Sequence, residues 1–196
     1  MIYPPVDYNS FQPHPVVGID EAGRGCLAGP VFAGAVILSF PEKFKDSKLL
    51  TAKKREFFSQ QIKEKHKFAI GVANLEEIEK LNIQGASLLA MKRAVNQLKI
   101  STGHLLIDGS FCIKELTQFS QTPLVKGDRR AHPISAAGIL AKTERDKMLT
   151  KLSKIYPEYG FDKHKGYATQ IHKKAIKKYG PCPIHRKTFS GVKEYL

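Results

Sequence analysis

The chain has 196 residues, 42% of them hydrophobic, with 32 Lys and Arg against 18 Asp and Glu, a formal net charge of +14. That length supports one sizeable core, or one domain with a helical appendage, and the charge points to a polyanionic partner, nucleic acid ahead of an acidic membrane surface. No apolar run approaches the roughly 20 residues that span a bilayer, Met1 to Pro15 lacks the basic start and apolar stretch of a signal peptide, and Cys26, Cys112 and Cys182 form no C-x-x-C pair, so a cytoplasmic protein with free thiols is expected.

Residues 1–15 carry four prolines and no sustained periodicity, and read as an irregular lead-in. Val16 to Glu21 and Val31 to Phe40 read as the first antiparallel pair of a sheet, joined by a glycine turn. Alternation along a strand sends Asp20 and Glu21 to opposite faces, so a bend is expected just there, permitted by Gly23 and Gly25. Arg24 between those glycines can present donors to a phosphate. Pro41 to Lys48 is a polar loop ending in Asp46-Ser47-Lys48.

Thr51 is a plausible N-cap for a helix through about Glu64, and Phe68 to Ala73 reads as a strand. Asn74 can cap a short acidic helix, Leu75 to Leu81, followed by a longer one, Gln84 to Leu98, whose stripe of Leu88, Met91, Val95 and Leu98 is core. His104 to Asp108 is a nearly all-apolar strand expected at the sheet centre, with Asp108 at its carboxyl end, where open α/β sheets bind ligands. Pro123 to Asp128 reads as a second such strand. From Ala131 the pattern is helical, and Ala136, Ala137, Gly138 and Ala141 would let that helix lie close on the sheet. Glu158 to Tyr167 is a loop mixing aromatics with cations, and Ala168 to Lys178 a basic helix ended by Gly180-Pro181.

Three strand ends therefore finish in carboxylates: Asp20-Glu21, Asp108 and Asp128. Gathering four carboxylates without cations raises their pKa values against one another, and oxygen-liganded Mg²⁺ or Mn²⁺ relieves this. Two such ions suit in-line displacement at phosphorus, and a metal-filled acidic centre inside a basic surface is what phosphodiester cleavage needs. The basic surface is concentrated from Lys142 to Lys187, with thirteen Lys and Arg against Glu144, Asp146, Glu158 and Asp162. Interleaved Tyr156, Tyr159, Phe161, Tyr167 and Tyr179 suit stacking on sugars or bases, although a solvated face over buried aromatics explains many of them equally well. Gly23-x-Gly25-x-x-Ala28 fits a loose dinucleotide fingerprint, but the apolar run from Val31 continues as strand where that fold requires a helix. Ser110 and Ser135 sit in no nucleophile elbow, and Cys182-Pro-Ile-His185 supplies only two metal ligands.

Taken in order, Gly18-Ile19-Asp20-Glu21-Ala22-Gly23-Arg24-Gly25, Asp46-Ser47-Lys48-Leu49, Ile107-Asp108-Gly109, Lys126-Gly127-Asp128, Ala136 to Lys142 and Gly160 to Tyr167 resemble the motifs of the ribonuclease HII family from about Val16 to Phe189. The resemblance implies an α/β fold, a ribonuclease H-like mixed sheet flanked by helices with a helical C-terminal extension. It divides the chain into the lead-in, a catalytic domain over 16–155 and a basic helical part over 156–196 packed on it. It implies Asp20, Glu21, Asp108 and Asp128 as catalytic metal ligands, with Asp146 a rival for the fourth place, and Mg²⁺ or Mn²⁺ as cofactor. Gly23, Arg24 and Gly25 would contact the ribonucleotide at its 2′-OH, Tyr167 would stack on the following deoxyribose, and Ser47, Lys48 and Lys142 would complete the nucleic-acid contacts.

The implied activity is a two-metal endoribonuclease acting on RNA/DNA hybrids and 5′ to ribonucleotides embedded in duplex DNA, leaving 3′-OH and 5′-phosphate ends, from a monomer. Two departures stand out: Cys26 where the family usually has proline, and Gly138 where it usually has serine. A non-catalytic nucleic-acid-binding protein and a four-acid DNA exonuclease are the competing readings. The first predicts binding indifferent to the carboxylates, and the second predicts cleavage of a strand lacking ribonucleotides.

Overall fold

A computed structural model describes residues 3–196; Met1 and Ile2, the start of the expected lead-in, lie outside the described residues. Five strands form one mixed sheet in the order β3-β2-β1-β4-β5. β1 (Val16–Ala22), β2 (Val31–Ile37) and β3 (Lys67–Ala73) make an antiparallel meander. β4 (His104–Asp108) and β5 (Ser120–Leu124) add in parallel on the other side of β1. α1 (Ala52–Lys65) lies between β2 and β3 and α2 (Leu75–Gln97) between β3 and β4; α3 (His132–Leu152) follows β5, then a single turn, α4 (Phe161–His164), and α5 (Gln170–Tyr179). The expected class, a mixed sheet with helices on both faces and a helical C-terminal region, is what is found.

Strand alternation assigns the two faces. Val17, Ile19, Leu105 and Ile107 pack with Ala90, Met91, Ala94 and Val95 of α2. Val16, Leu106 and Leu124 pack with Ile134 at the start of α3, while Val36, Phe68 and Ile70 meet Ala136, Ala137 and Leu140 farther along it. α3 lies against the strands because both sides are stripped of bulk: a Cβ on Gly18 would stand 2.0 Å from the Pro133 carbonyl carbon, and one on Gly34 would stand 2.3 Å from the Ala137 oxygen. The small-residue run of α3 therefore does what its composition predicted. A separate cluster of Leu27, Leu149, Tyr159, Phe161, Ile176 and Val192 fastens the C-terminal segment to the loop after β1 and the end of α3.

Helix starts follow their caps. Thr51 accepts from the Lys54 amide, Thr169 from that of His172, and Asn74 forms a reciprocal capping box with Glu77. α2 is broken at Asn82 (φ 57°, ψ 175°), so the two expected helices are present as two helical stretches across a kink.

Four expectations are corrected. β2 ends at Ile37, not Phe40. β1 does not bend between Asp20 and Glu21; it stays paired through Ala22, opposite Phe32, and the turn comes at Gly23 (φ +105°). β5 covers Ser120–Leu124, not Pro123 to Asp128. As an edge strand it tolerates Pro123 and polar residues, and Gln121 uses its amide to hold the backbone of Ile113 and Leu116. Lys126 then adopts left-handed backbone (φ 54°), so the chain turns into a 3₁₀ segment, Gly127–Arg129, that carries Asp128. Finally, the expected loop before Tyr167 contains α4.

Candidate active site

Asp20 follows Val16 and Gly18 on the α3 face of β1, and Glu21 follows Val17 and Ile19 on the α2 face. They share a cleft without a bend because both sit at the end of the strand, where a cleft of about 210 Å³ opens over the carboxyl ends of β1 and β4. Asp20, Glu21, Gly23, Arg24, Gly25, Ser47, Lys48, Asp108, Lys142 and Tyr167 line it. Asp108, at the carboxyl end of β4, alternates onto the same face as Asp20. Asp128 reaches this corner from the 3₁₀ turn: its amide faces Asp108 Oδ1 at 3.4 Å, and Lys48 Nζ donates to its Oδ2 at 3.1 Å. Asp46 connects the two loops, accepting from the Lys48 amide and from Arg129 Nε.

Burial comes first in what this does to the carboxyls. Asp20 is pushed well above the usual carboxylate range by burial, then by the charges of Glu21, Asp108 and Asp128. Glu21 is raised by burial, against the pull of Arg24, and Asp108 by burial and by Asp128. Burial works against the Lys48 ammonium, yet Asp128, Asp20 and Asp46 hold its pKa above the ordinary value. Lys48 is thus the resident cation of an acid-rich cleft.

The fit to divalent ions rests on the donor set. Among the described residues no three His, Cys, Asp or Glu side chains close into a cage around a point. Mg²⁺ asks for less, being held through one or two carboxylates with water and substrate phosphate. Among the described residues buried Glu21 Oε2 has no hydrogen-bond partner, which leaves an acceptor for a cation or donor. The four acids therefore suit oxygen-seeking ions.

Asp146 is elsewhere. It receives Arg55 Nη2 at 3.2 Å and Lys142 Nζ at 2.7 Å, beside a separate hollow of about 370 Å³ lined by Ala52, Glu56 and Lys165 among others. Its charge is already matched, whereas Asp128 stands against Asp108. Lys142 spans the two regions, its ammonium 5.0 Å from the Tyr167 ring centre. Tyr167 is 41% exposed, open for a sugar or base.

Arg24 leans on Glu21 Oε1 (3.4 Å) and donates to Gln84 Oε1 (2.7 Å). Of the two departures, Cys26 is buried and bridged to Tyr167 in an antiparallel pair, joining the glycine turn to the tyrosine. Gly138 leaves room for Asp20: a Cβ there would be 2.2 Å from Asp20 Oδ2.

Sequence reasoning missed what lies beneath the turn. Two of the thirteen cations counted as surface, Arg145 and Arg186, are wholly buried. Arg145 donates to the carbonyls of Ala28, Pro30 and Lys165, and Arg186 to those of Gly23, Arg24 and Gly29. Burial, then the neighbouring Arg145 charge, lowers Arg186 to about 10. His164, His172 and His185 are buried as well. Nothing in a basic run flags which cations are internal.

A family model described as Ribonuclease HII matches residues 17–192. The chain belongs to the ribonuclease HII family. It is 50% identical over 184 residues to the Ribonuclease HII of Pelagibacter ubique, covering 92% of this chain and 98% of that one. Its structure is similar to the crystal structure of the ribonuclease H2 from Pyrococcus horikoshii OT3, with TM-score 0.75, 25% identity and coverage of 92% and 96%. The fold is shared with Bst-RNase HIII, solved in complex with Mn²⁺, at TM-score 0.69 and 17% identity over 92% of this chain and 68% of that one. As a ribonuclease HII the protein is a nuclease, a hydrolase with ribonuclease H activity on RNA/DNA hybrids.

Proposed function

We propose that this ribonuclease HII hydrolyses the RNA strand of hybrids and also incises 5′ to ribonucleotides embedded in duplex DNA, leaving 3′-OH and 5′-phosphate ends. The observation that carries the catalytic part is the meeting of Asp20, Glu21 and Asp108 in one cleft, with Asp128 set against Asp108 at its corner, inside a basic protein. Two divalent ions, Mg²⁺ or Mn²⁺, held by these four acids would supply activation of the attacking water and neutralise the leaving oxygen. Lys48 and Arg24 neutralise phosphates on either side of the scissile bond, and Lys48 holds Asp128 in place until substrate arrives. The Gly23-Arg24-Gly25 backbone approaches the ribose closely, since a Cβ on Gly25 would meet nothing of the protein within 4 Å and that space is left for ligand. Tyr167 stacks on the next sugar, with Lys142 behind its ring. The substrate set is thus RNA/DNA hybrid and ribonucleotide-containing DNA.

A labelled duplex with a single ribonucleotide, incubated with Mg²⁺ and with Mn²⁺, tests this directly. Asp108→Asn is expected to cut cleavage more than about a hundredfold, several kcal/mol of transition-state stabilisation, while binding to the hybrid persists. Parental-rate cleavage by the variant would refute the assignment. Cleavage of an all-DNA duplex would instead favour an exonuclease.

A further inference from the structure

The glycine turn is held from below by one side chain. Arg186 Nη2 donates to the Gly23 carbonyl at 2.7 Å, Nη1 to that of Arg24 at 2.9 Å, and Nε and Nη2 to that of Gly29 at 2.9 and 2.8 Å. The guanidinium is fully buried, and each of these acceptors is main chain. In a trans peptide the C=O of one residue and the N–H of the next point in opposite directions. With the Gly23 and Arg24 carbonyls drawn inward to Arg186, the amides of Arg24 and Gly25 face outward, where both residues line the cleft. Among the described residues neither amide donates to a backbone carbonyl, whereas the Cys26 amide already turns back to Gly23 at 3.5 Å.

A buried cation without an acid partner is costly, and a planar fork with five donors is the side chain that can fix two successive peptide planes at once. Arg145 is the internal comparison. It is equally buried and donates to the carbonyls of Ala28, Pro30 and Lys165; its side chain packs against Gly23, where a Cβ would stand 2.1 Å from Arg145 Nε, but it donates to neither the Gly23 nor the Arg24 carbonyl.

We propose that Arg186 is a specificity-determining positioning residue: it aims the Arg24 and Gly25 amides into the cleft as a preset pair of donors for the ribose 2′-OH and its phosphate. The proposal rests on the ribose-reading role of the turn given above and adds the residue that sets it. Arg186 touches no substrate, so its loss shows as lost discrimination, over and above any loss of stability.

The test compares binding to a duplex with one ribonucleotide and to the same duplex in DNA. The protein carries Asp108→Asn to silence cleavage, with Mg²⁺ present. Adding Arg186→Lys, which cannot fork across two carbonyls, is expected to lower the ribonucleotide preference by about fivefold to tenfold, the worth of roughly one hydrogen bond, with affinity for the all-DNA duplex little changed. Arg145→Lys, which alters packing at Gly23 but removes no hydrogen bond to the Gly23 or Arg24 carbonyl, should lower the melting temperature comparably and reduce the preference less than Arg186→Lys. A preference unchanged by Arg186→Lys overturns the proposal. Absence of any preference in the Asp108→Asn parent overturns the ribose-reading of the turn itself, and the role of Arg186 with it. Where Arg186→Lys does not melt cooperatively, the amide shifts of Arg24 and Gly25 in the ¹⁵N-labelled parent decide. Both should move with the ribonucleotide duplex and not with the DNA duplex, and unmoved amides refute the proposal.

Discussion

Asp128 and Asp146 separate the two candidates for the fourth carboxylate by their company. Asp128 is 5% exposed and faces Asp108, with Lys48 as a cation that substrate or metal can replace. Asp146 is neutralised by Arg55, which ties α1 to α3, and by Lys142 one turn back on α3 itself. Asp146→Asn is therefore expected to leave cleavage within about threefold of the parent while lowering the melting temperature, since it strands a half-matched Arg55. Cleavage lost to the same extent as in Asp128→Asn would reverse the assignment. Tyr167→Ala should damage cleavage at an isolated ribonucleotide more than in a continuous hybrid, by about tenfold if one stacking contact is lost. Equal losses on the two substrates would argue against a role at the RNA–DNA junction.

At the scale of elements, the segment carrying Tyr167 is pinned by a chain of neutral histidines. The Cys182 amide donates to His185 Nδ1, which assigns the proton to His185 Nε2, 3.0 Å from His172 Nε2; His172 Nδ1–H then donates to the Tyr167 carbonyl. His164 accepts from the Gly166 amide and donates to the Tyr159 carbonyl. Burial lowers His172 and His185 to about 4, and His164 is also lowered. Because the unfolded histidines take protons near 6.5 and the folded ones do not, the stability they contribute is whole above about pH 6.5 and is lost as pH falls toward 4. Thermal melts over that interval should show the midpoint falling with pH, and His172→Gln should flatten the slope. A slope unchanged in the variant would show that these histidines do not set it.

For the whole molecule, the conflict between an acidic centre and a basic exterior predicts two responses to ions. On the proposed metal set, divalent ions would bind only the folded arrangement of carboxylates, so saturating Mg²⁺ or Mn²⁺ should raise the melting temperature by several degrees, about 2.7 kcal/mol at a hundred times Kd, and chelation should reverse it. That rise should vanish in Asp20→Asn, whose removal of one buried charge should itself stabilise the metal-free protein. Affinity for hybrid should fall steeply with added monovalent salt, because a protein of net charge +14 would bind a polyanion largely by releasing counterions. A melting temperature indifferent to divalent ions would count against metal binding by the four acids.

Local patterns are enough for the long helices and the antiparallel start of the sheet, and they single out the candidate acids. Caps such as Thr51 and Asn74, the apolar run of β4 and the small residues of α3 act over a few residues, where spacing alone carries the physics. β5 differs from its expected bounds because an edge strand need not be apolar: Ser120-Gln121-Thr122 hides its pairing, and Val125 extends the apolar pattern past Leu124, where the strand ends before the left-handed Lys126. Likewise the bend assumed at Asp20-Glu21 is not needed, since two faces can meet over the carboxyl end of a strand. Only the tertiary structure decided which cations are internal. Arg145 and Arg186 read as two more charges in a basic run, and become buried hubs because carbonyls from 115 to 163 residues away converge on them, joined at Arg145 by that of Lys165, 20 residues on. Burial and long-range acceptors are properties of the folded chain, and no local spacing encodes them.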